Sequence, residues 1–184
     1  MSDDASALAP MMLISMPQLD DPNFSKAVVL LCAYGPEGAF GLVVNRPMAQ
    51  PANEVVETVP TVEIRDDVYL FTGGPVDPRF AWVLTSRATL DSDATEIADG
   101  VYLTRSLGAL CAALQSPPSA DIRVGIGYAG WSAGQLDAEL AQSSWLLVPV
   151  GADLIFGAPD EMWDRAIERL GADPGHLLGV SGVH

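Results

Sequence analysis

Basic side chains are scarce in this sequence. Lys26 is the only lysine, and eight arginines bring the basic residues to 9 against 24 acidic residues, for a net charge of -15. A field of this sign repels nucleic acids, because their binding depends on lysine and arginine replacing counterions at the phosphates. We therefore expect no direct DNA binding by the isolated chain, and we expect its partners to be basic or neutral.

Histidine is also nearly absent, which restricts the available catalytic chemistry. The two histidines, His176 and His184, both lie near the carboxyl terminus. A serine hydrolase with a nucleophile elbow needs the motif G-x-S-x-G, and the GVSGV stretch around Ser181 does not have that spacing. The residues contain no convincing catalytic set, so they favour a protein that is not an enzyme.

Only two cysteines are present, and both lie in apolar runs. Cys32 is in VVLLCAY and Cys111 is in LGALCAAL. We expect both to be buried, reduced and poorly reactive, because apolar surroundings disfavour the thiolate. A Cys–His pair stays open as an alternative, although the raised thiol pKa argues against a cysteine nucleophile.

Clustered metal ligands are missing as well. Asp20 and Asp21 stand side by side before Pro22, and no histidine, cysteine or carboxylate follows them at ligand spacing. We assign these aspartates a turn and helix-cap role. We predict no metal site and no cofactor.

Long apolar runs are absent too. No run approaches the roughly 20 apolar residues of a membrane span. The amino-terminal stretch MSDDASALAPMMLISM carries acids where a signal peptide has basic residues. We predict no membrane insertion and a cytoplasmic location. The 184 residues, 49% of them apolar, predict a single domain over 1–184, with residues 1–10 as a flexible tail.

What the sequence does contain is a series of short β-prone segments with a few helical ones. The predicted strands are MMLISM, AVVLLCAY, AFGLVVN, DVYLFTGG, FAWVLTS, GVYLTR, DIRVGIGYAG, SWLLVPV and DLIF. The Pro/Gly link GPEG predicts a hairpin between the second and third of these. Helices are predicted in ANEVVETV, after Ser106, from the capping box of Ser132 and Gln135, and between Pro159 and Gly171.

One stretch has the glycine spacing of a dinucleotide-binding loop. Gly125, Gly127 and Gly130 have the order G-x-G-x-x-G after an apolar run. A phosphate loop needs its third glycine inside the helix, whereas the predicted helix starts only at Ser132. We prefer a structural interpretation, in which Gly127 and Gly130 bend a strand and seat Trp131 beneath the next helix. Under this interpretation a Gly125→Ala change is tolerated where its backbone angles allow.

Several polar residues and turns lie in apolar surroundings and are candidates for ligand or partner contacts. Pro47 forces an extended backbone that positions Arg46, and the turn TGGPV can expose amides that bind an anion. Each also has a structural interpretation: the asparagine and arginine side chains can hydrogen-bond to backbone carbonyls, and the glycines can form a turn. The candidates are Asn45, Arg46, Gly73, Gly74, Pro75, Gly127, Gly130, Trp131 and Gln135.

Five ordered motifs resemble one protein family. They are MLISMPQLDDPNF, Gly38 to Pro47, Gly73 to Val76, Gly127 to Glu139, and Ser144 to Pro149. From about Met12 to the end, the chain resembles the AlgH (YqgE) family of bacterial proteins. The resemblance implies an α+β complex fold of coiled, largely antiparallel or mixed β-sheets with several short helices. It provides no catalytic residues, and its members are often labelled transcriptional regulators.

Two functional hypotheses follow. The first is a non-enzymatic cytoplasmic regulator that binds a protein partner or a small ligand. The second is a nucleotide or small-molecule binder, or an enzyme, whose site gathers Asn45, Arg46, Gly73, Gly74, Trp131 and Gln135. A pocket that joins these residues would support the second hypothesis.

Overall fold

Ten strands join into one hydrogen-bonded sheet, which is the frame of this computed structural model. The structure describes residues 8–17, 19, 21–56 and 62–172. The strands are β1 (Met11–Ser15), β2 (Val28–Gly35), β3 (Gly38–Val43), β4 (Pro47–Pro51), β5 (Tyr69–Thr72), β6 (Val76–Thr85), β7 (Thr95–Ala98), β8 (Val101–Thr104), β9 (Ile122–Ser132) and β10 (Trp145–Val148). The helices are α1 (Ala52–Val55), α2 (Leu107–Gln115), α3 (Gln135–Ala141), α4 (Ala152–Ile155) and α5 (Met162–Arg169).

The sheet is largely antiparallel, with β9 at its centre. Its main order is β10-β1-β2-β3-β9-β6-β8-β7, and β4 and β5 branch from β9. The 11-residue β9 pairs antiparallel with β3 and β6 and parallel with β5. The predicted α+β class with largely antiparallel or mixed strands is therefore confirmed.

The predicted hairpin around GPEG joins β2 to β3. Gly35 and Gly38 are the last paired residues before the turn. Gly38 has φ of 141°, and a Cβ atom there would lie 2.3 Å from the Trp131 carbonyl oxygen. The turn thus depends on glycine both for its backbone angle and for the close approach of β9.

The sheet buries side chains on both faces. Val28, Val29, Leu30 and Leu31 of β2 are all fully buried, which confirms a strand covered on both sides. Val28 and Leu30 pack with α4 and α5 in one core cluster, and Val29 and Leu31 pack with Trp131 in another. A third cluster lies under α2, around Leu70, Val83, Ala113, Leu114 and Val124.

Two of the predicted helix boundaries are confirmed by their caps. The Ser106 hydroxyl accepts a hydrogen bond from the Ala109 amide at 3.2 Å and starts α2. Pro159 begins a 3-10 turn that leads into α5. Gly171, at φ of 76°, follows α5, and its amide donates to the Glu168 carbonyl at 2.9 Å.

One predicted element is wrong, one helix begins later than predicted, and one element is only partly described. DLIF is not a strand, because Leu154 and Ile155 belong to α4, whose amides bond to the Gly151 carbonyl. The helix predicted from Ser132 begins at Gln135, and Ser132 is the last residue of β9. Of ANEVVETV, Ala52–Val55 form α1, while residues 57–61 lie outside the described residues.

Candidate functional site

The three glycines of the G-x-G-x-x-G stretch all lie inside β9. Gly125 is paired with Trp82 of β6 and Phe71 of β5, in the middle of the sheet. A phosphate-binding loop instead joins the end of a strand to the start of a helix. The G-x-G-x-x-G stretch is therefore not a dinucleotide-binding loop in this fold.

Gly125 is required for packing, which corrects the expectation that alanine is tolerated there. A Cβ atom on Gly125 would lie 2.1 Å from the indole of Trp82, which is fully buried. The Trp82 Nε1–H donates to the Gly127 carbonyl at 2.9 Å, so the ring cannot move away freely. The glycine leaves room for the indole on the surface of the strand.

Asn45 and Arg46 fasten the segment 22–28 to the end of β3. The Asn45 Oδ1 accepts from the Val28 amide, and its Nδ2 donates to the Lys26 carbonyl, both at 2.9 Å. The Arg46 guanidinium donates to the Pro22 carbonyl at 3.3 Å and to the Ser25 carbonyl. These contacts hold Lys26 in a left-handed conformation at φ of 51°. Both side chains thus have structural partners.

Gly73, Gly74 and Gly127 meet where the chain after β5 crosses β9. The Gly73 amide donates to the Ile126 carbonyl at 2.9 Å, so it is not free to bind an anion. A Cβ on Gly74 would lie 2.2 Å from the Tyr128 carbonyl, and one on Gly127 would lie 2.6 Å from the Gly74 oxygen. These glycines permit two backbones to touch, and Pro75 follows them into β6.

Trp131 and Gln135 converge on Glu139, a residue absent from the predicted candidates. The Glu139 Oε2 accepts from the indole N–H groups of Trp131 at 2.9 Å and Trp145 at 2.8 Å. The Gln135 amide donates to Oε1 at 3.3 Å. Phe24 packs on both indoles, with ring centroids 6.3 Å and 5.5 Å away. The sequence did carry a signal, because Glu139 ends one of the five motifs and lies four residues after Gln135.

The nine predicted residues therefore fall into three groups in the part of the chain that the structure describes. The first group is Asn45 and Arg46, which hydrogen-bond to the segment 22–28. The second is Gly73, Gly74, Pro75 and Gly127, where two backbones are in contact. The third is Trp131 and Gln135 around Glu139, with Gly130 next to Trp131 on β9. None of the nine lines the α2 cleft or the Arg123 cleft described below, or two further clefts between described residues. They do not form one common pocket.

An apolar cleft lies between α2 and the sheet, and we call it the α2 cleft. It has a volume of about 360 Å³. Its walls come from α2, from the strands β5 and β9, and from the residues on either side of 57–61. The residues that line it are Val55, Val56, Val62, Ile64, Leu70, Pro78, Arg79, Ala81, Leu107, Leu110, Cys111, Leu114, Val124, Gly125 and Ile126. Among the described residues that line it, Arg79 is the only charged one, and Leu107 is 71% exposed.

A second cleft, the Arg123 cleft, adjoins the α2 cleft and shares Val124 with it. Its volume is about 420 Å³. Tyr69, Phe71, Pro117 and Pro118 contribute apolar walls, and Arg123 contributes a cation. Burial lowers the pKa of the Arg123 guanidinium, because the charged form loses water there.

The two cysteines are only partly buried, which corrects the prediction of full burial. Burial still raises the pKa of the Cys32 thiol to about 12, so its thiolate is scarce at neutral pH. Cys111 is half-buried and faces the α2 cleft. The two thiols thus lie in different surroundings.

The acidic pair before Pro22 is described in part. Asp21 forms the predicted turn, in which its Oδ1 accepts from the Asn23 amide at 2.9 Å. The predicted helix-cap role is wrong, because residues 22–26 form turns that lead into β2. Asp20, His176, Ser181 and His184 lie outside the described residues. Among the described residues, no three histidine, cysteine or carboxylate side chains are grouped to hold a metal ion. Within the same part of the chain, no helix has the length and apolar character needed to cross a membrane.

Comparison with known proteins gives a consistent result. A family model described as AlgH-like (DUF179) matches residues 12–175. A UPF0301 protein of Thioalkalivibrio sulfidiphilus is 37% identical, over 92% of this chain and 93% of that protein. A UPF0301 protein of Xylella fastidiosa is 36% identical, over 99% of both chains.

Solved structures show the same fold. The solution structure of the AlgH protein from Pseudomonas aeruginosa matches with a TM-score of 0.75 and 31% identity, over 100% of this chain and 98% of that one. A crystal structure of a Corynebacterium diphtheriae protein matches with a TM-score of 0.66, over 88% of this chain and 86% of that one. Its identity of 22% supports a shared fold alone.

Proposed function

This chain belongs to the AlgH-like family, and from that premise we propose that it is a cytoplasmic regulatory protein that acts by binding a protein partner or a small ligand, without catalysis. The α2 cleft is the observation that carries this proposal. Its volume of about 360 Å³ is within the range of ligand pockets in proteins, roughly 300–1,000 Å³. Almost all of its lining is aliphatic, so its contacts favour an apolar group.

Leu107 lies at the mouth of the α2 cleft, where a partner would gain the most binding free energy by burying an exposed apolar side chain. It is the most exposed of the large hydrophobic side chains that the structure describes, at 71%. Removing a leucine side chain from water contributes roughly 1.5–3 kcal/mol. An apolar side chain or ring that entered between Leu107 and Leu110 would therefore stabilise the complex.

The charge of the whole chain restricts what this partner can be. A net charge of -15 attracts basic partners and repels acidic ones over about the Debye length, roughly 8 Å at physiological salt. Of the described residues that line the cleft, only Arg79 is charged. The preferred occupant is thus an apolar group on a basic or neutral molecule.

Two neighbouring residues on α2 provide a matched pair of variants. Cys111 faces the α2 cleft, whereas Ala112 is exposed on the other side of the helix. Cys111→Trp should fill the cleft, and Ala112→Trp should add the same ring outside it. A thermal-shift screen of metabolites, nucleotides and apolar peptides identifies binders, since a ligand at 100 times its dissociation constant adds about 2.7 kcal/mol to stability.

We expect a ligand found in this way to stabilise the wild type and Ala112→Trp but not Cys111→Trp. In the wild type it should also slow the reaction of Cys111 with N-ethylmaleimide, a readout that does not depend on how well the variants fold. A ligand that stabilises all three proteins equally and leaves Cys111 reactive binds elsewhere. That result would remove the α2 cleft as the functional site.

A further inference from the structure

Arg123 is a half-buried cation that no carboxylate neutralises among the described residues. Its Nη2 donates to the carbonyls of Phe156 at 3.2 Å and Gly157 at 2.9 Å, at the end of α4. Its Nε is buried without a hydrogen-bond partner. No salt bridge between described residues includes it. A guanidinium keeps its proton, so the positive charge stays in place and only neutral carbonyls offset it.

Part of the wall of the Arg123 cleft is flat and apolar, formed by Tyr69 and Phe71. The guanidinium carbon lies 5.2 Å from the ring centroid of Phe71. Phe71 is paired with Gly125 in the parallel β5–β9 ladder, and Tyr69 and Arg123 each precede that pair by two residues. A spacing of two places them on the same face of the sheet as Phe71. Tyr69 is 45% exposed at the mouth of the cleft, so part of its surface is available to an occupant.

Among the described residues, Asp67 is the one carboxylate that lines this cleft, and it does not serve as the counterion of Arg123. Asp67 binds Arg65 through both of its oxygens, each at 2.8 Å. The Arg65 guanidinium accordingly lowers the pKa of Asp67. The cleft therefore has one unneutralised positive charge, and a monovalent anion would balance it.

We propose that the Arg123 cleft binds a small organic monocarboxylate, with the carboxylate on Arg123 and a flat apolar body against Tyr69 and Phe71. The two carbonyls take up Nη2 and Nε is buried, so Nη1 is the donor left for an anion, and a carboxylate oxygen can accept a charge-assisted hydrogen bond from it. The volume of about 420 Å³ admits a molecule of one or two rings. A multiply charged phosphate fits less well, because the cleft offers one cation and the chain carries a net charge of -15. Val124 lines both clefts, but the proposed contacts with Tyr69, Phe71 and Arg123 belong to the Arg123 cleft.

Benzoate and benzamide form a matched pair of probes, because they share size and ring and differ in charge. Binding is followed by chemical-shift changes of the backbone amides in nitrogen-15 spectra of the full chain, at about 0.15 M salt. We expect benzoate to shift the backbone amides of the non-proline lining residues Tyr69, Phe71, Ser116, Ser119 and Arg123, and benzamide to leave them unchanged. Benzoate should not shift the amides of Leu110 and Cys111, which line the α2 cleft away from this site.

Variants then test the two contacts separately. Arg123→Gln should weaken benzoate roughly 10- to 100-fold, the range expected when a charge-assisted hydrogen bond is lost. Arg169→Gln removes the same charge at an exposed pair with Asp153 and should bind benzoate like the wild type. Tyr69→Ala leaves Arg123 in place and should weaken benzoate severalfold through the lost ring contact, which keeps the proposal testable if Arg123→Gln does not fold.

Three results would overturn the proposal. They are equal shifts with benzoate and benzamide, no shifts at all with benzoate, and equal loss of benzoate binding in Arg169→Gln and Arg123→Gln. The first would make the cleft a general apolar pocket. The last would show that the overall charge, and not Arg123, attracts the anion.

Discussion

At the scale of single residues, Gly125 shows how a glycine can serve a neighbouring side chain. A Cβ atom on Gly125 would meet the buried indole of Trp82 at 2.1 Å, far inside contact distance. Gly125→Ala should therefore destabilise the fold by roughly 1–3 kcal/mol, as overpacked cores do. Gly108→Ala is the matched control, because a Cβ there meets nothing within 4 Å and α2 gains roughly 0.5–1 kcal/mol from alanine. Urea unfolding of both variants measures this, and equal stabilities would contradict the packing described.

Cys32 provides a pH-dependent test at the same scale. Its thiol pKa is raised from 9.0 to about 12, so its contribution to stability is complete below pH 9 and is lost as the pH rises towards 12. We expect the urea midpoint of the wild type to fall more steeply between about pH 9 and 11 than that of Cys32→Ser, whose hydroxyl does not titrate there. Parallel pH profiles would show that the thiol is as accessible to water as in the unfolded chain.

At the scale of elements, α3 is held to the sheet through few contacts. Leu136 is its one buried residue, and Glu139 joins it to Trp131 of β9 and Trp145 of β10. Glu139→Leu should leave two indole N–H groups without an acceptor and cost roughly 1–3 kcal/mol for each. Glu139→Gln keeps an acceptor oxygen and should cost less. The exposed Glu168→Leu is the control, and urea unfolding free energies that rank all three variants together would contradict this role.

At the scale of the whole molecule, charge governs the choice of partner. With 24 acidic residues against 9 basic ones, the purified chain should bind no DNA specifically at physiological salt. A mobility-shift assay with a random-sequence duplex and with genomic fragments measures this directly. A sequence-selective shift by the isolated chain would contradict the prediction and would indicate that it regulates transcription by direct contact with DNA.

Much of the local structure was determined by the sequence alone. The unbroken apolar run of β2, the Ser106 cap of α2 and the glycine-bounded turn after Gly35 act over a few residues, so their patterns were sufficient. The five motifs were also sufficient for the family and, through it, for the α+β class. The roles of the motif residues were not accessible in the same way.

Only the tertiary structure decided those roles. Gly125 is small because Trp82, 43 residues earlier in the chain, lies on it through the register of β6 and β9. DLIF has the composition of a strand, yet the amides of Leu154 and Ile155 bond to the Gly151 carbonyl in α4, and both side chains pack in one core cluster with α5. The Glu139 cluster likewise needs β9, α3 and β10 to converge. Propensity and capping act between near neighbours, whereas strand register and close packing join distant ones, so the clefts and their unpaired cation appear only in the folded chain.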